Sequence, residues 1–241
     1  MAKTQIKKAP LDDLDFYPPF EGFPKEALRF LKGLKKNNTR PWFEKHKGEF
    51  ESYVKLPMQS LIVALQPHFA RFAPEFELHP KRSIFRIYRD VRFSKDKSPY
   101  KTHVAMHSVL RGAPKGVEGS GYYLHVEPGQ VFLGAGVYMP ESDHLKKIRK
   151  ALVEHSKEFL SIVEGNAFKK RFGKMEAAKL QRVPQGYPPD HPMADWLKYK
   201  QFFVFEEWPE SRCHSAKFLN EVAKSFEAAT PLVKFLNEAM K

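Results

Sequence analysis

Residues 83–107 read Ser-Ile-Phe-Arg-Ile-Tyr-Arg-Asp-Val-Arg-Phe-Ser-Lys-Asp-Lys-Ser-Pro-Tyr-Lys-Thr-His-Val-Ala-Met-His, and their pattern decides the fold class. From Ile84 the hydrophobic period is two, as expected for a strand. Phe85, Ile87, Val91 and Phe93 define one face, and Arg86, Tyr88, Asp90 and Arg92 the other. Arg89 falls on the apolar face, which calls for a bulge or an inward partner. The strand breaks at Ser94, and a lysine-rich loop through Ser98-Pro99 leads to a second strand from about Tyr100. Thr102 to Leu110 alternates again, with His103, Ala105, His107 and Val109 on one side. Residues 81–103 hold eight Lys or Arg against Asp90 and Asp96, a local excess of +6.

Before this stretch the period is helical. Pro24 opens a helix carrying Leu28, Leu31 and Leu34, which Asn37-Asn38 stops. Thr39 caps a second helix with Phe43, His46, Phe50 and Tyr53 in phase. Pro57 breaks or restarts it, and the stripe Met58, Leu61, Ile62, Leu65, Phe69 and Phe72 follows, with a kink expected at Pro67. After the strand pair, Gly112 to Gly121 reads as a loop. Tyr122 to Glu127 and Val131 to Met139 then form a hairpin around Pro128-Gly129. One long helix follows from Pro140 to Gly165, then a short one at 166–172 and an irregular proline-rich stretch at 183–192. A helical turn at 191–197 and a strand from Tyr199 to Phe205 come next. The last helix begins near Ser215, with a kink or restart at Pro231. The expectation is an α+β protein: a flexible arm at 1–20, then a single domain at 21–241. In it an antiparallel sheet of four to five strands is covered by long helices.

The 241 residues include 21 Phe and are 42% apolar, enough for a sizeable core. No apolar run reaches the ~20 residues of a membrane-spanning helix, and the first ten residues lack a secretory signal's apolar region, so a cytoplasmic protein away from membranes is expected. The single cysteine, Cys213, excludes an internal disulfide and a cysteine metal cluster. Net charge of +13 favours anionic partners, with a solvated lysine surface as the plainer reading.

Trp42-Phe43, the run from Arg86 to His103 and His191-Pro-Met-Ala-Asp-Trp-Leu-Lys together resemble a domain-of-unknown-function family of bacteria and fungi, over roughly Phe23 to Phe235. The resemblance implies a single α+β domain in the cytoplasm. It implies no reaction, ligand or catalytic residue.

The residues themselves point to a candidate ligand site made of Arg86, Tyr88, Asp90, Arg92, Lys95, Tyr100, Lys101, His103 and Tyr122 on the uncovered sheet face. Arginine offers a planar fork for phosphate or carboxylate, tyrosine a hydroxyl and a stacking face, and lysine a point charge. The first reading is a binding module for a small anionic ligand. The second is an enzyme on a phosphorylated or carboxylated substrate, with Asp90 or His103 as acid or base. The third is a nucleic-acid binder, because Phe85, Tyr88, Phe93 and Tyr100 interleave with the cations as in stacking platforms. A charged face paired with acids such as Glu127 competes with all three. His103, His107 and His125 on neighbouring strands, with Glu127 or Asp90 adding oxygen, would be the ligands of a metal site. His103 and His107 stand roughly 13 Å apart on a straight strand, too far for one metal ion, so no metal is expected. No cofactor is implied either: nucleophile elbow, P-loop, His-Glu-x-x-His and dinucleotide fingerprint are all absent from the sequence. Gly134-Ala-Gly136 inside a strand is read as close packing of a helix or ligand over it.

Overall fold

A computed structural model of the chain describes residues 17–112, 119–175 and 177–241. Most of the expected arm, residues 1–16, lies outside them, as do residues 113–118 of the expected loop. Phe20, which the sequence reading gave to the arm, is buried against Phe23 and Phe218.

The first helices follow the apolar period. In α1 (Lys25–Lys36) Leu28, Leu31 and Leu34 are buried, and Pro24, in extended conformation, is the capping residue rather than the first helical one. Then come α2 (Arg40–Lys45) after Thr39, and α3 (Lys47–Glu49). A π-helical turn at Phe50–Lys55 leads directly into α4 (Leu56–Phe72). That widened turn accommodates Pro57, whose ring and missing N–H conflict with a regular α-helical ladder. α4 runs on through Pro67 to Phe72.

Two sheets follow. β1 (Phe76–Glu77) pairs with β3 (Val109–Leu110). The main sheet, antiparallel throughout, has the order β2-β4-β5-β6, from β2 (Val104–His107), β4 (Gly121–Glu127), β5 (Gln130–Val137) and β6 (Phe202–Pro209). The β4–β5 hairpin turns at Pro128-Gly129 as expected, with Gly129 at a φ of +104° that glycine adopts without strain. β6 starts three residues later than predicted and forms the sheet edge beside β5.

The long helix expected from 140 to 165 is two: α5 (Ser142–Glu154) and α6 (Ser156–Val163), separated at His155, whose φ of −119° leaves the helical region. Then come α7 (Asn166–Phe172), α8 (Ala194–Leu197), a 3-10 turn at Glu210–His214, and α9 (Lys217–Met240), continuous past Pro231. The helices cover one face of the sheet. Val104, Met106, Tyr122, Leu124, Val126, Leu133 and Val204 are buried there in one contiguous core that reaches from Phe20 to Met240. Among the described residues no helix is long and apolar enough to cross a membrane.

Two local readings change. The glycines of β5 do not make room for a helix or a ligand. A Cβ on Gly136, at φ +122°, would collide with the Phe202 carbonyl of neighbouring β6, and one on Gly134 would press on the Phe132 ring lying across it. The stretch 84–93 is not a regular strand. Ile84 bridges Met106 and Tyr88 bridges Tyr100, so residues 85–87 face residues 101–105. Two extra residues in the later arm bulge the ladder, and the alternation that period-two reading assumes is lost. Ile87 alone of the predicted apolar face is buried. Phe85 is exposed and Phe93 is 95% exposed.

Candidate functional site

The arm formed by 83–107 is tied together by a sparse ladder. Phe85 N–H donates to Ala105 O at 2.9 Å, His107 N–H to Ser83 O at 2.8 Å, Lys101 N–H to Ile87 O at 2.8 Å and Arg89 N–H to Pro99 O at 2.9 Å. Beyond Arg89 the loop is braced by its own charges. Arg92 forks onto Asp90, with Nη2 to Oδ2 at 2.7 Å and Nε to Oδ1 at 3.0 Å. This bond holds the Asp90 carboxyl down at about 2. Arg89 is half-buried, pairs with Asp96 and donates to Ser98 O at 3.3 Å. Asp96 also accepts from the Ser98 backbone at 2.9 Å, and Ser98 and Arg89 lower its pKa. Lys97 donates to Val91 O at 3.0 Å. The inward charge on the apolar face is thus satisfied within nine residues of its own position.

These contacts sort the predicted residues. Asp90 and Arg92 occupy each other. Tyr100 and Tyr122 are turned into the core. Tyr100 stacks on Phe43 with centroids 4.2 Å apart, and Tyr122 shares a 2.9 Å hydrogen bond with Thr230 among Phe69, Phe72 and Phe76. Neither shares the open face. Tyr88, Lys95 and Arg86 are exposed, and neither Arg86 nor Lys95 makes an ion pair with a described residue. Lys101 lies over the Phe85 ring at 4.9 Å, and burial, then Arg86, lowers its pKa.

His103 does lie at the open sheet face, beside His125 and Glu127, which the sequence reading weighed only as metal ligands or, for Glu127, as a paired acid, and Tyr123, which it did not name. The His103 ring is 5.1 Å from that of His125, and burial, then the charges of His125 and Lys101, pushes it down to about 4. The His103 ring is therefore neutral near pH 7, and burial lowers the pKa of His125 against the opposing charge of Glu127. His125 Nδ1 meets the Tyr123 hydroxyl at 3.2 Å. Its buried Nε2 lies 3.6 Å from Glu127 Oε1, beyond hydrogen-bond reach. Glu127 is held by Gln130 at 2.8 Å, and burial raises the Tyr123 phenol to about 12. The signal for these residues was in the alternation of β4. Tyr122, Leu124 and Val126 form its apolar phase, and Tyr123, His125 and Glu127 the polar one. Choosing Tyr122 placed the candidate on the wrong side of the strand.

The face continues as a row of rings. His125 stacks on Phe132 (19° between planes) and Phe132 on Phe205 (15°), and Phe203 and Tyr138 follow. Among the described residues no three His, Cys, Asp or Glu converge to hold a metal ion. A concavity of about 1070 Å³ near α5, α6 and α9 is lined by residues such as Lys150, Glu154, Lys234 and Glu238, and contains none of the predicted site residues.

A family described as a conserved hypothetical protein, DUF2461, matches residues 26–235 of the chain. No curated protein and no solved structure matches it.

Proposed function

The chain belongs to the DUF2461 family, whose description assigns no reaction, and from the geometry we propose that it binds a small phosphate- or carboxylate-bearing ligand where the 83–107 arm meets the open sheet face. The observation that carries this reading is the division of charge along the arm. Arg82, Arg89 and Arg92 are neutralised by Glu77, Asp96 and Asp90, whereas Arg86 and Lys101 make no ion pair with a described residue. Arg86 acts on Asp90 only weakly beside the Arg92 fork. Lys101 is partly desolvated, and its charge and that of Arg86 act on each other. An incoming anion relieves that repulsion and supplies the missing partner for a guanidinium fork. The neutral imidazole of His103 beside them accepts or donates a hydrogen bond without adding charge.

A thermal-shift titration with inorganic phosphate, mononucleotides and dicarboxylates tests it. We expect a rise in Tm with ligand concentration, loss of the rise in Arg86→Ala/Lys101→Ala, and its retention in Arg92→Ala. A protein that no anion stabilises, or a rise indifferent to Arg86 and Lys101, rules the site out.

The enzymatic alternative is supported at His125, whose Nδ1 is oriented by the Tyr123 hydroxyl at 3.2 Å while its Nε2 has no hydrogen-bond partner among the described residues, as a general base needs. Asp90 is a poor candidate because Arg92 occupies it. A ligand that passes the screen and is turned over by the wild type but not by His125→Asn decides for this alternative.

A further inference from the structure

We propose that the exposed arm from Phe85 to Lys101 holds a single-stranded nucleic acid, with bases stacked on Tyr88 and Phe93 and phosphates against Arg86, Lys95 and Lys101. This rests on the anion reading above, one phosphate of the strand being the anion taken by Arg86 and Lys101. The first observation is Phe93, a phenyl ring 95% exposed at the end of the arm. Its exposure does not come from a loose segment. The Asp90–Arg92 and Arg89–Asp96 pairs, the Asp96–Ser98 turn and the Lys97–Val91 bond all close on the loop that carries it. A ring presented in water on a braced loop is preorganised for a partner that covers it. The Arg92 guanidinium lies over the ring, 5.7 Å from its centre, and one ring has a second face to offer.

Tyr88 is the second stacking position. It is 47% exposed and leans on Tyr100 and Phe43 from within the molecule. Other exposed rings, Tyr138 and Phe205 at the far side of the sheet and Tyr53 among the first helices, lie outside this arm. Within the arm, Phe85 is already engaged by Lys101 on its ring and by His107 4.6 Å away, and on the sheet face His125, Phe132 and Phe205 stack on one another. Two exposed rings flanked by Arg86 on one side and by Lys95 and Lys101 on the other, cations that pair with no described carboxylate, suit a strand of bases and phosphates. The chain's net charge of +13 draws such a strand in. A duplex meets these rings poorly, because its bases are already stacked on each other. An anionic membrane also attracts cations and an aromatic ring. Here the ring's neighbours Arg92, Ser94, Lys95, Asp96 and Lys97 are all polar, so a single phenyl would have to anchor the loop, too little apolar area for stable insertion.

The test is anisotropy titration of a short labelled single strand, in DNA and RNA form, with the duplex of the same sequence alongside. Cosedimentation with phosphatidylserine-containing vesicles is the second arm. We expect the single strand to bind more tightly than the duplex. Phe93→Ala should weaken binding roughly five- to one-hundred-fold at unchanged Tm, Phe93→Trp should restore it, and Phe93→Leu should not. Affinity should fall with salt, and Arg86→Ala should reduce the log–log slope by about 0.7. Absence of strand binding, binding indifferent to Phe93, or Phe93-dependent vesicle binding without strand binding overturns the proposal. If strands fail while inorganic phosphate still raises Tm through Arg86 and Lys101, this inference falls alone. If phosphate fails as well, the anion site falls with it.

Discussion

Tyr122 and Tyr123 are adjacent in the chain and lie on opposite faces of β4, so a one-residue choice moves a candidate ligand from solvent into the core. The histidines of the open face were legible as residues, and His103 was assigned to it, but their protonation was not. That depends on burial and on charges that the fold brings together, His125 and Glu127 from β4 beside the nearby Lys101. A testable consequence is a pH dependence of stability. His103 titrates near 6.5 in an unfolded chain and is pushed down to about 4 in the fold. His107 and His125 shift the same way, chiefly through burial. Below about pH 6.5 the unfolded chain takes up protons that the fold refuses, so stability is full above that pH and declines toward pH 4. His103 is only partly buried, so solvent screening leaves its share at about 1–2 kcal/mol rather than the full value of the shift. Urea unfolding at about pH 7.5 and about pH 5 should show a lower midpoint at the acid end and a smaller difference in His103→Gln. Equal pH dependence in wild type and variant rules out the neutral buried imidazole.

At the scale of elements, the helices were legible because period and punctuation agree: Leu28, Leu31 and Leu34 within one helix, Asn37 at its end, Gly165 after another. The arm was not legible as built. Its regular pairing is interrupted by two extra residues, and part of its backbone is satisfied by a side chain from 62 residues away. Asn38 Nδ2 donates to Tyr100 O at 3.0 Å, and the Tyr100 N–H donates to Asn38 Oδ1 at 3.1 Å. An amide side chain thus occupies the place of a neighbouring strand, and Phe43 stacks on the same tyrosine. No period or propensity encodes such a pairing. Asn38→Ala would leave a part-buried donor and acceptor unpaired, so we expect a loss of about 1 kcal/mol, the lower end of the cost of an unmade buried hydrogen bond. Faster hydrogen exchange should be confined to residues around Tyr100, because the sheet beyond Val104 has its own partners. A loss below about 0.5 kcal/mol, in the range of ordinary surface substitutions, would mean that water replaces the amide at no cost.

For the molecule as a whole, class and layer order were legible, but the ties between layers were not. Glu206 lies in register with Leu133 on the covered face of the sheet, an unlikely place for a carboxylate from pattern alone. Arg171 of α7 meets it at 2.8 Å and Ser225 of α9 at 2.5 Å, joining a strand and two helices. Cys213 stands at another junction: it is fully buried, its carbonyl accepts the Phe23 N–H at 2.7 Å, and burial pushes its thiol up to about 12. A thiol this protected reacts only when the structure opens. Because its neighbours belong to the one contiguous core, we expect that opening to be the unfolding of the whole domain. The labelling rate with a thiol reagent, relative to that of the unfolded chain, should then give a free energy equal to that from urea unfolding. Both should fall together in Gly22→Ala, whose new methyl would press on the backbone at His214. A labelling free energy several kcal/mol below the global value would instead show that the junction of the amino-terminal segment with residues 210–214 opens by itself, and that the single core is not a single cooperative unit.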